Sequence, residues 1–161
     1  MQDMHDYRCE KNGFLVATDP ALLDLDAIHD FLSHSYWAEG IPRETVARSL
    51  KHSLCFGLYE KNLASADAQI GLARVVSDYT TFAYLCDVYV LESHRGQGLG
   101  TWFMDCVMRH PDLQGLRRFN LVTRDAHGLY EKLGFAVTTN PGGYMEILKR
   151  NLYKNPEKPG N

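Results

Sequence analysis

A strand that passes through a glycine-rich turn into a helix is the sequence feature that most constrains this fold. Residues 84–91 are mostly aromatic, β-branched or otherwise apolar and include a single charged residue, which is typical of a strand covered on both faces. The turn after it contains glycines at positions 96, 98 and 100. The apolar residues that follow recur with helical spacing, at Leu99, Trp102, Phe103, Cys106 and Val107. The segment therefore predicts a strand, a tight turn and an amphipathic helix.

The start of this helix is a candidate site for a diphosphate. The first N–H groups of a helix have no intrahelical partner, and glycines let a phosphate approach the backbone closely. The turn either holds a phosphate group or is only a tight connection. A Walker loop is excluded because Thr101 follows Gly100 with no lysine between them. The dinucleotide fingerprint is excluded because the glycines are spaced G-x-G-x-G.

Two segments resemble those of one enzyme family. The sequence RGQGLG at residues 95–100 resembles the acetyl-CoA signature [QR]-x-x-G-x-[GA] of the GNAT acetyltransferase superfamily, with Arg95, Gly98 and Gly100 at the signature positions. The sequence GLYEKLGF at residues 128–135 is similar to a helix and strand of the same family. Both segments occur in the family's order, so the chain is identified as a member by resemblance.

Hydrophobic periodicity predicts the element order β-α-α-β-β-β-α-β-α-β-β. The predicted strands cover residues 14–18, 54–60, 69–77, 84–91, 119–122, 135–138 and 144–149, the last two forming a closing hairpin. Helices are predicted at about residues 24–35, after Pro42, after Gly98 and around residues 126–133.

This order coincides with that of the GNAT fold. The resemblance implies an α/β (α+β) domain over residues 1–153, with a mixed, mostly antiparallel sheet of about seven strands and four helices. It also implies that the fourth and fifth strands are parallel and splay apart to admit the pantetheine arm. Residues 154–161 are expected to form a flexible tail.

Composition narrows the functional classes. The chain has 17 basic and 20 acidic side chains, a formal net charge of −3, which argues against a nucleic-acid or anionic-membrane partner. The first residues lack the apolar region of a secretory signal, and no apolar run is long enough to span a bilayer. The four cysteines show no C-x-x-C pairing and are expected to be buried thiols. We therefore expect a cytoplasmic protein without a metal, and the sequence leaves its oligomeric state open, a homodimer included.

The resemblance implies that acetyl-CoA, as co-substrate, gives its acetyl group to a primary amine of a small molecule or a protein. The amine would attack directly, through a tetrahedral intermediate. Backbone N–H groups of the glycine turn would hold the diphosphate, and a main-chain N–H of the central strand would stabilise the oxyanion, worth about 3 to 4 kcal/mol of barrier. The implied cofactor-binding residues are Val88, Tyr89, Val90, Arg95, Gly96, Gln97, Gly98, Leu99, Gly100, Thr101 and His127.

Two residues near the second segment have alternative roles. Tyr130 matches the family's general acid, since a phenol with a pKa of about 10 can protonate a departing thiolate; alternatively it packs on the apolar side of its helix. His127 lies near a position where many relatives carry an asparagine that contacts the pantetheine, and it either makes that bond or lies on the surface. Arg124, in the same stretch of chain, could contact a phosphate of the cofactor.

The acceptor side is less defined. Asp87 is a carboxylate in an apolar strand, and three roles are open to it: a general base, a member of an ion pair or hydrogen bond, or an anchor for a cationic substrate. If ordered water relays the proton instead, no side chain acts as the base. By resemblance, Tyr36, Trp37 and Glu39 line the acceptor pocket, although the aromatics could simply plug a gap and Glu39 could be a solvated charge. A non-catalytic acyl-CoA-binding or sensing module is the alternative function.

Overall fold

A computed structural model describes residues 7–154, which form one mixed sheet with helices packed against it. The strands are β1 (Arg8–Lys11), β2 (Phe14–Ala17), β3 (Leu54–Glu60), β4 (Ala68–Ser77), β5 (Phe82–Val90) and β6 (Arg118–Leu121). The helices are α1 (Leu25–Ser33), α2 (Arg43–Lys51), α3 (Leu99–Met108) and α4 (His127–Glu131).

The six strands lie in the sheet in the order in which they occur in the chain. Neighbours from β1 to β5 are antiparallel, and β5 and β6 are parallel. A parallel pair needs a long crossover, which α3 supplies. The mixed, mostly antiparallel sheet with one parallel pair is the predicted fold, and the predicted fourth and fifth strands correspond to β5 and β6.

Each face of the sheet carries its own hydrophobic cluster. Phe103 and Val107 of α3 are fully buried in one cluster, and Ile28 of α1 and Val46 of α2 are fully buried in the other. Along β4, Leu72 and Ala73 belong to different clusters, as side chains alternate across a strand. The sheet is therefore covered by α1 and α2 on one side and by α3 on the other.

One strand was missed and two were wrongly predicted. The strand β1 is polar and mostly exposed, so hydrophobic periodicity does not predict it. The dipeptide Asn12-Gly13, which forms the turn to β2 with φ values of 50° and 82°, is nevertheless a strong hairpin signal. The predicted closing hairpin is not formed. Residues 135–149 contain only the 3-10 turn Pro141–Gly143, and side chains such as Met145 and Ile147 remain 96% exposed, so they have no buried face to drive strand formation.

The helices differ little from their predicted positions. Asp24 caps α1 by accepting a hydrogen bond from the N–H of Ala27, and Pro42 directly precedes α2. Within residues 7–154, every helix is too short or too polar to cross a bilayer. Of the predicted tail, Lys154 is described and residues 155–161 lie outside the described part of the chain.

Candidate active site

A β-bulge in β5 is centred on Asp87. Leu72 pairs with Tyr89 and Arg74 pairs with Cys86, so one residue of β4 faces two residues of β5, Asp87 and Val88. The φ angle of Asp87 is 52°, a left-handed conformation that aspartate tolerates better than most residues. The extra residue shifts the alternation of the strand by one, so that a different set of side chains faces the adjoining cleft beyond the bulge.

The cleft opens where the parallel pairing of β5 with β6 ends. The two strands pair from Phe82 and Arg118 to Leu85 and Leu121, and β5 then continues to Val90 with β4 as its neighbour. Beyond Leu85, the backbone groups of β5 that point away from β4 therefore face the cleft rather than a neighbouring strand. This is the splay that the family resemblance implied.

The cleft is a cavity of about 320 Å³ between β5, the end of β6 and the α1–α2 connection. Five of the residues predicted for the site line it: Tyr36, Trp37, Asp87, Val88 and Tyr130. A second cavity of about 670 Å³ lies against β6 and residues 135–146, and His127 lines that one instead. Tyr130 lines both cavities and therefore stands at their boundary.

Asp87 is held by two donors. Nε of Arg74 donates to its Oδ2 at 2.7 Å, and Nε1 of Trp37 donates to its Oδ1 at 3.0 Å. Arg74 also donates from Nη1 to Oγ of Ser53 at 3.1 Å. The Arg74 and Asp87 side chains are 18% and 13% exposed, so the ion pair is largely shielded from solvent. Three roles were predicted for Asp87, and the structure shows the ion pair.

Two ionisable groups of the cleft are kept neutral by burial. Burial raises the pKa of the Cys86 thiol to about 11, with Arg74 opposing and Asp87 reinforcing the shift, so Cys86 is not a ready nucleophile. Burial also raises the pKa of Tyr130, and Tyr36 adds to the effect. The Tyr130 phenol therefore keeps its proton at neutral pH. Its ring packs edge-on against Phe135, with centroids 5.9 Å apart.

The two aromatic residues of the α1–α2 connection remain exposed at the cleft. Tyr36 is 58% and Trp37 42% exposed, and their rings meet edge to face at 5.0 Å. The gap between the helix and the sheet is filled instead by Phe31, which stacks on Tyr89 at 3.7 Å. The Arg124 guanidinium lies over the Tyr36 ring, 3.9 Å from its centroid. The aromatics thus form a wall of the cleft rather than a plug.

Glu39 is the predicted substrate residue that the structure places elsewhere. Its carboxylate pairs with Nζ of Lys154 at 2.6 Å, and both side chains are about half exposed. Glu39 is not among the residues that line the cleft. Its contact ties the connection to the end of the described chain.

The glycine turn is shaped to admit a group from outside. Gly96 and Gly98 have φ values of 81° and 77°. Gly98 is the N-cap residue directly before α3, and no side chain caps this helix. Apart from its immediate chain surroundings, no described atom lies within 4 Å of a Cβ built at Gly96, Gly98 or Gly100. The absence of side chains therefore leaves the uncapped N–H groups of α3 approachable, which fits a diphosphate.

The turn is also tied to the central strand. Nε of Arg95 donates to the carbonyl of Val90 at 2.9 Å, and Nε2 of Gln97 donates to the carbonyl of His94 at 3.2 Å. The first helical hydrogen bond at this end runs from Trp102 to Gly98 at 3.2 Å. The Arg95 contact fixes the position of the turn relative to the last residue of β5.

Sequence reasoning missed Arg74 and did not assign Arg124 to the acceptor side. A signal for Arg74 was available, because it is a charged residue inside the apolar run of β4, and a buried charge requires a partner of opposite sign. Asp87 in the adjacent strand was the obvious partner. Arg124 follows β6 in a polar loop, where sequence offers no sign of its stacking on Tyr36.

Comparisons with known proteins agree with the fold. The model of the acetyltransferase (GNAT) domain matches residues 51–137, which include the bulged strand, the glycine turn and Tyr130. The chain belongs to the GNAT family of acetyltransferases.

Two relatives are similar over most of the chain. A protein of Gibberella zeae, provisionally named an acetyltransferase, is 38% identical over 140 residues, covering 76% of this chain and 78% of its own length. A solved structure from Xanthomonas campestris pv. campestris, provisionally described as a GNAT-family acetyltransferase, is 49% identical and superposes with a TM-score of 0.82 over 89% of this chain and 99% of that one.

A more distant structure shares the fold. A GNAT-family acetyltransferase of Elizabethkingia anophelis, solved with acetyl-CoA bound, is 17% identical and has a TM-score of 0.59 over 87% of this chain and 91% of that one.

Proposed function

We propose that this protein is an N-acetyltransferase that uses acetyl-CoA to acetylate a primary amine. The observation that carries this proposal is the cleft formed by the Asp87 bulge and the end of the β5–β6 pairing, with the Tyr130 phenol in its wall and the glycine turn next to it in sequence. The acetyl-CoA bound to the E. anophelis relative supports the choice of co-substrate.

The residues that would hold acetyl-CoA lie at the start of α3. The N–H groups of Leu99, Gly100 and Thr101 lack intrahelical acceptors, and the helix dipole adds partial positive charge there. Arg95 donates to the carbonyl of Val90 and so keeps this turn against the end of β5. When bound, acetyl-CoA supplies the acetyl group as an activated thioester.

Val88 is the residue of the central strand best placed to stabilise the oxyanion. Of the three strand residues predicted for this role, Val88 alone lines the cleft. Tyr89 is buried against Phe31, and the carbonyl of Val90 accepts from Arg95. Because Val88 lies within the bulge, its backbone departs from the regular ladder. A preorganised N–H here would lower the barrier by about 3 to 4 kcal/mol.

Tyr130 acts as the proton donor to the departing thiolate. Its pKa is raised by burial, so the phenol stays protonated throughout the neutral range. A thiol has a pKa of about 8.5, below that of the phenol, but the developing thiolate is a strong hydrogen-bond acceptor that Tyr130 can neutralise as the bond breaks.

Asp87 positions the cleft, and the proton of the attacking amine leaves through water. Both carboxylate oxygens accept hydrogen bonds, from Arg74 and Trp37, and loss of the Arg74 contact would leave the Asp87 charge without its partner. A role as proton acceptor would require Asp87 to give up part of this pairing. Its assigned role is to hold Trp37 against the bulge.

Calorimetric titration with acetyl-CoA, combined with a thiol-release assay over a panel of amines, tests the proposal. The expected result is saturable acetyl-CoA binding and CoA release that depends on the amine. Binding without amine-dependent release would instead support the acyl-CoA-binding or sensing module. Failure to bind any CoA species would overturn the proposed function.

A further inference from the structure

The charges around the cleft do not suit a purely cationic acceptor. Among the described residues that line it, the charged ones are Asp87 and Arg124. The negative charge of Asp87 is already matched by Arg74 at 2.7 Å, whereas Arg124 brings a positive charge to the cleft from the loop after β6. With Arg74 included the formal charge is +1, and it falls to zero only if Asp125, the exposed ion-pair partner of Arg124, is counted as well.

Arg124 is held so that it can bind an anion. Its guanidinium lies 3.9 Å from the centroid of the Tyr36 ring, and Tyr36 is itself held edge-on by Trp37. A guanidinium stacked by its face keeps its N–H groups in its own plane, where they can meet a carboxylate or phosphate. Nη2 of Arg124 forms an ion pair with Oδ2 of Asp125 at 3.6 Å, and both side chains are more than half exposed. Such an exposed pair is weak and can be displaced by a ligand.

We infer that the acceptor is a small primary amine that also carries an acidic group, a carboxylate or a phosphate, and that Arg124 binds this group. The inference rests on the proposed function, because it concerns the acceptor of the same cleft. The amine would lie towards Val88 and Tyr130, and the acidic group would lie towards Arg124 and the Tyr36 ring, since all four line one cavity.

The size of the cleft favours a small molecule. Its volume of about 320 Å³, which the acceptor would share with the thioester end of acetyl-CoA, lies at the lower end of the range for ligand cavities. A polyamine would find no uncompensated carboxylate among the described lining residues, because Asp87 is paired with Arg74. Desolvating a second positive charge beside Arg124 would be unfavourable. Arg124 is thus a specificity-determining residue.

Matched acceptor pairs test this inference. The thiol-release assay would compare β-alanine with its amide, and phosphoethanolamine with ethanolamine, at saturating acetyl-CoA. The acidic member of at least one pair should be preferred by about tenfold or more in kcat/KM, and the pair that shows the preference identifies the group as carboxylate or phosphate.

Two arginine variants then assign the preference to Arg124. Arg124→Gln should abolish the preference by raising KM for the acidic acceptor, with KM for acetyl-CoA unchanged. Arg124→Lys should retain part of it, because the charge remains but the planar, stacked geometry is lost. Arg109→Gln is the matched control, since Arg109 makes an exposed i,i+4 pair with Asp105 on α3 and does not line the cleft. It should leave the preference unchanged.

The outcomes separate this inference from the proposed function. Equal use of acidic and neutral amines, with no effect of Arg124→Gln, would overturn the inference and leave the acetyltransferase intact. An Arg124→Gln variant whose KM rises for acetyl-CoA but not for the acceptor would reassign Arg124 to a cofactor phosphate, also overturning it. Absence of acetyl transfer to every amine, neutral or acidic, would overturn the proposed function itself.

Discussion

The indole N–H of Trp37 donates a hydrogen bond to Oδ1 of Asp87 across 3.0 Å, joining the α1–α2 connection to the bulge of the central strand. Arg74 holds the other oxygen of the same carboxylate, so three separate segments meet at one group. The aromatic wall of the cleft and the strand that would supply the oxyanion donor are therefore fixed relative to each other.

Asp87→Asn should lower the free energy of unfolding by about 2 kcal/mol, because it leaves the Arg74 charge largely buried without a partner. Asparagine has the same shape and also tolerates a positive φ, so the bulge itself should persist. Urea denaturation measures the loss. In an Arg74→Met background the same substitution should cost much less. Additive losses in the double variant would show that the pair is not coupled.

Gly100→Ala should weaken acetyl-CoA binding by about tenfold or more without loss of stability. Gly100 is helical with an ordinary φ, and the added methyl group would project where no described protein atom approaches, so alanine should be tolerated in the helix and should obstruct only a ligand at the start of α3. Calorimetric titration and thermal unfolding check the two halves of this expectation. Unchanged affinity for acetyl-CoA would show that the diphosphate does not bind at this turn.

Gly98→Ala and Gly115→Ala form a matched pair. Their φ values are 77° and 72°, and both have open space at the Cβ position, so each substitution should cost about 1 kcal/mol of stability from backbone strain. Only Gly98→Ala should also reduce acetyl-CoA affinity, because Gly115 lies beyond the other end of α3. A similar loss of affinity in both variants would attribute the effect to strain rather than to the site.

Tyr130→Phe should lower turnover by well over tenfold and leave acetyl-CoA affinity nearly intact, because it removes the proton donor and keeps the ring that packs against Phe135. The pKa of Tyr130 is raised, so wild-type turnover should show no decline from loss of this proton below pH 10. Tyr79→Phe is the control, since Tyr79 is a partly buried tyrosine whose pKa is also raised but which does not line the cleft. An unchanged rate in Tyr130→Phe would assign the residue to packing.

Stability should fall as the pH is lowered through about 6.5, because His110 is buried in its neutral form. Burial lowers its pKa, so the unfolded chain binds a proton before the folded chain does, and acid favours unfolding over that interval. Nδ1 of His110 accepts a hydrogen bond from the N–H of Asp112 at 3.2 Å, which fixes the acceptor nitrogen.

Denaturation curves between pH 8 and pH 5 measure this effect. His110→Gln should be less stable than the wild type at pH 8, since the ring also packs edge-on against Tyr7 and Phe56. Its stability should nevertheless change less across the interval. An equal pH dependence in the variant would place the responsible group elsewhere.

Much of the fold could be predicted because it depends on local patterns. The strand β3 lies where apolar and aromatic residues predicted it, and α3 begins directly after Gly98, as predicted. The family resemblance, carried by the glycine turn and the segment around Tyr130, predicted the splayed parallel pair that periodicity could not. Where the pattern was polar, as in β1, or apolar but unburied, as in residues 135–149, the prediction failed.

The site was predicted in part for the same reason. Tyr36, Trp37, Asp87, Val88 and Tyr130 come together in one cleft, whereas Glu39, His127 and the other predicted cofactor-binding residues do not line it. The resemblance could indicate which segments line the acceptor side but not which side chains turn towards it. The ion-pair partner of a charged side chain depends on which segments lie close in space, and Glu39 pairs with Lys154, which is distant in sequence.

The sequence by itself determined the glycine turn, the helix that follows it and the order of the elements from β2 to α4, because these follow from backbone freedom and from the spacing of apolar residues within a few turns of chain. Only the tertiary structure decided that Asp87 is engaged by Arg74, 13 residues away, and by Trp37, 50 residues away, and that Arg124 lies on Tyr36. Contacts between charges and rings at such separations are set by how the segments pack, and no local pattern encodes them.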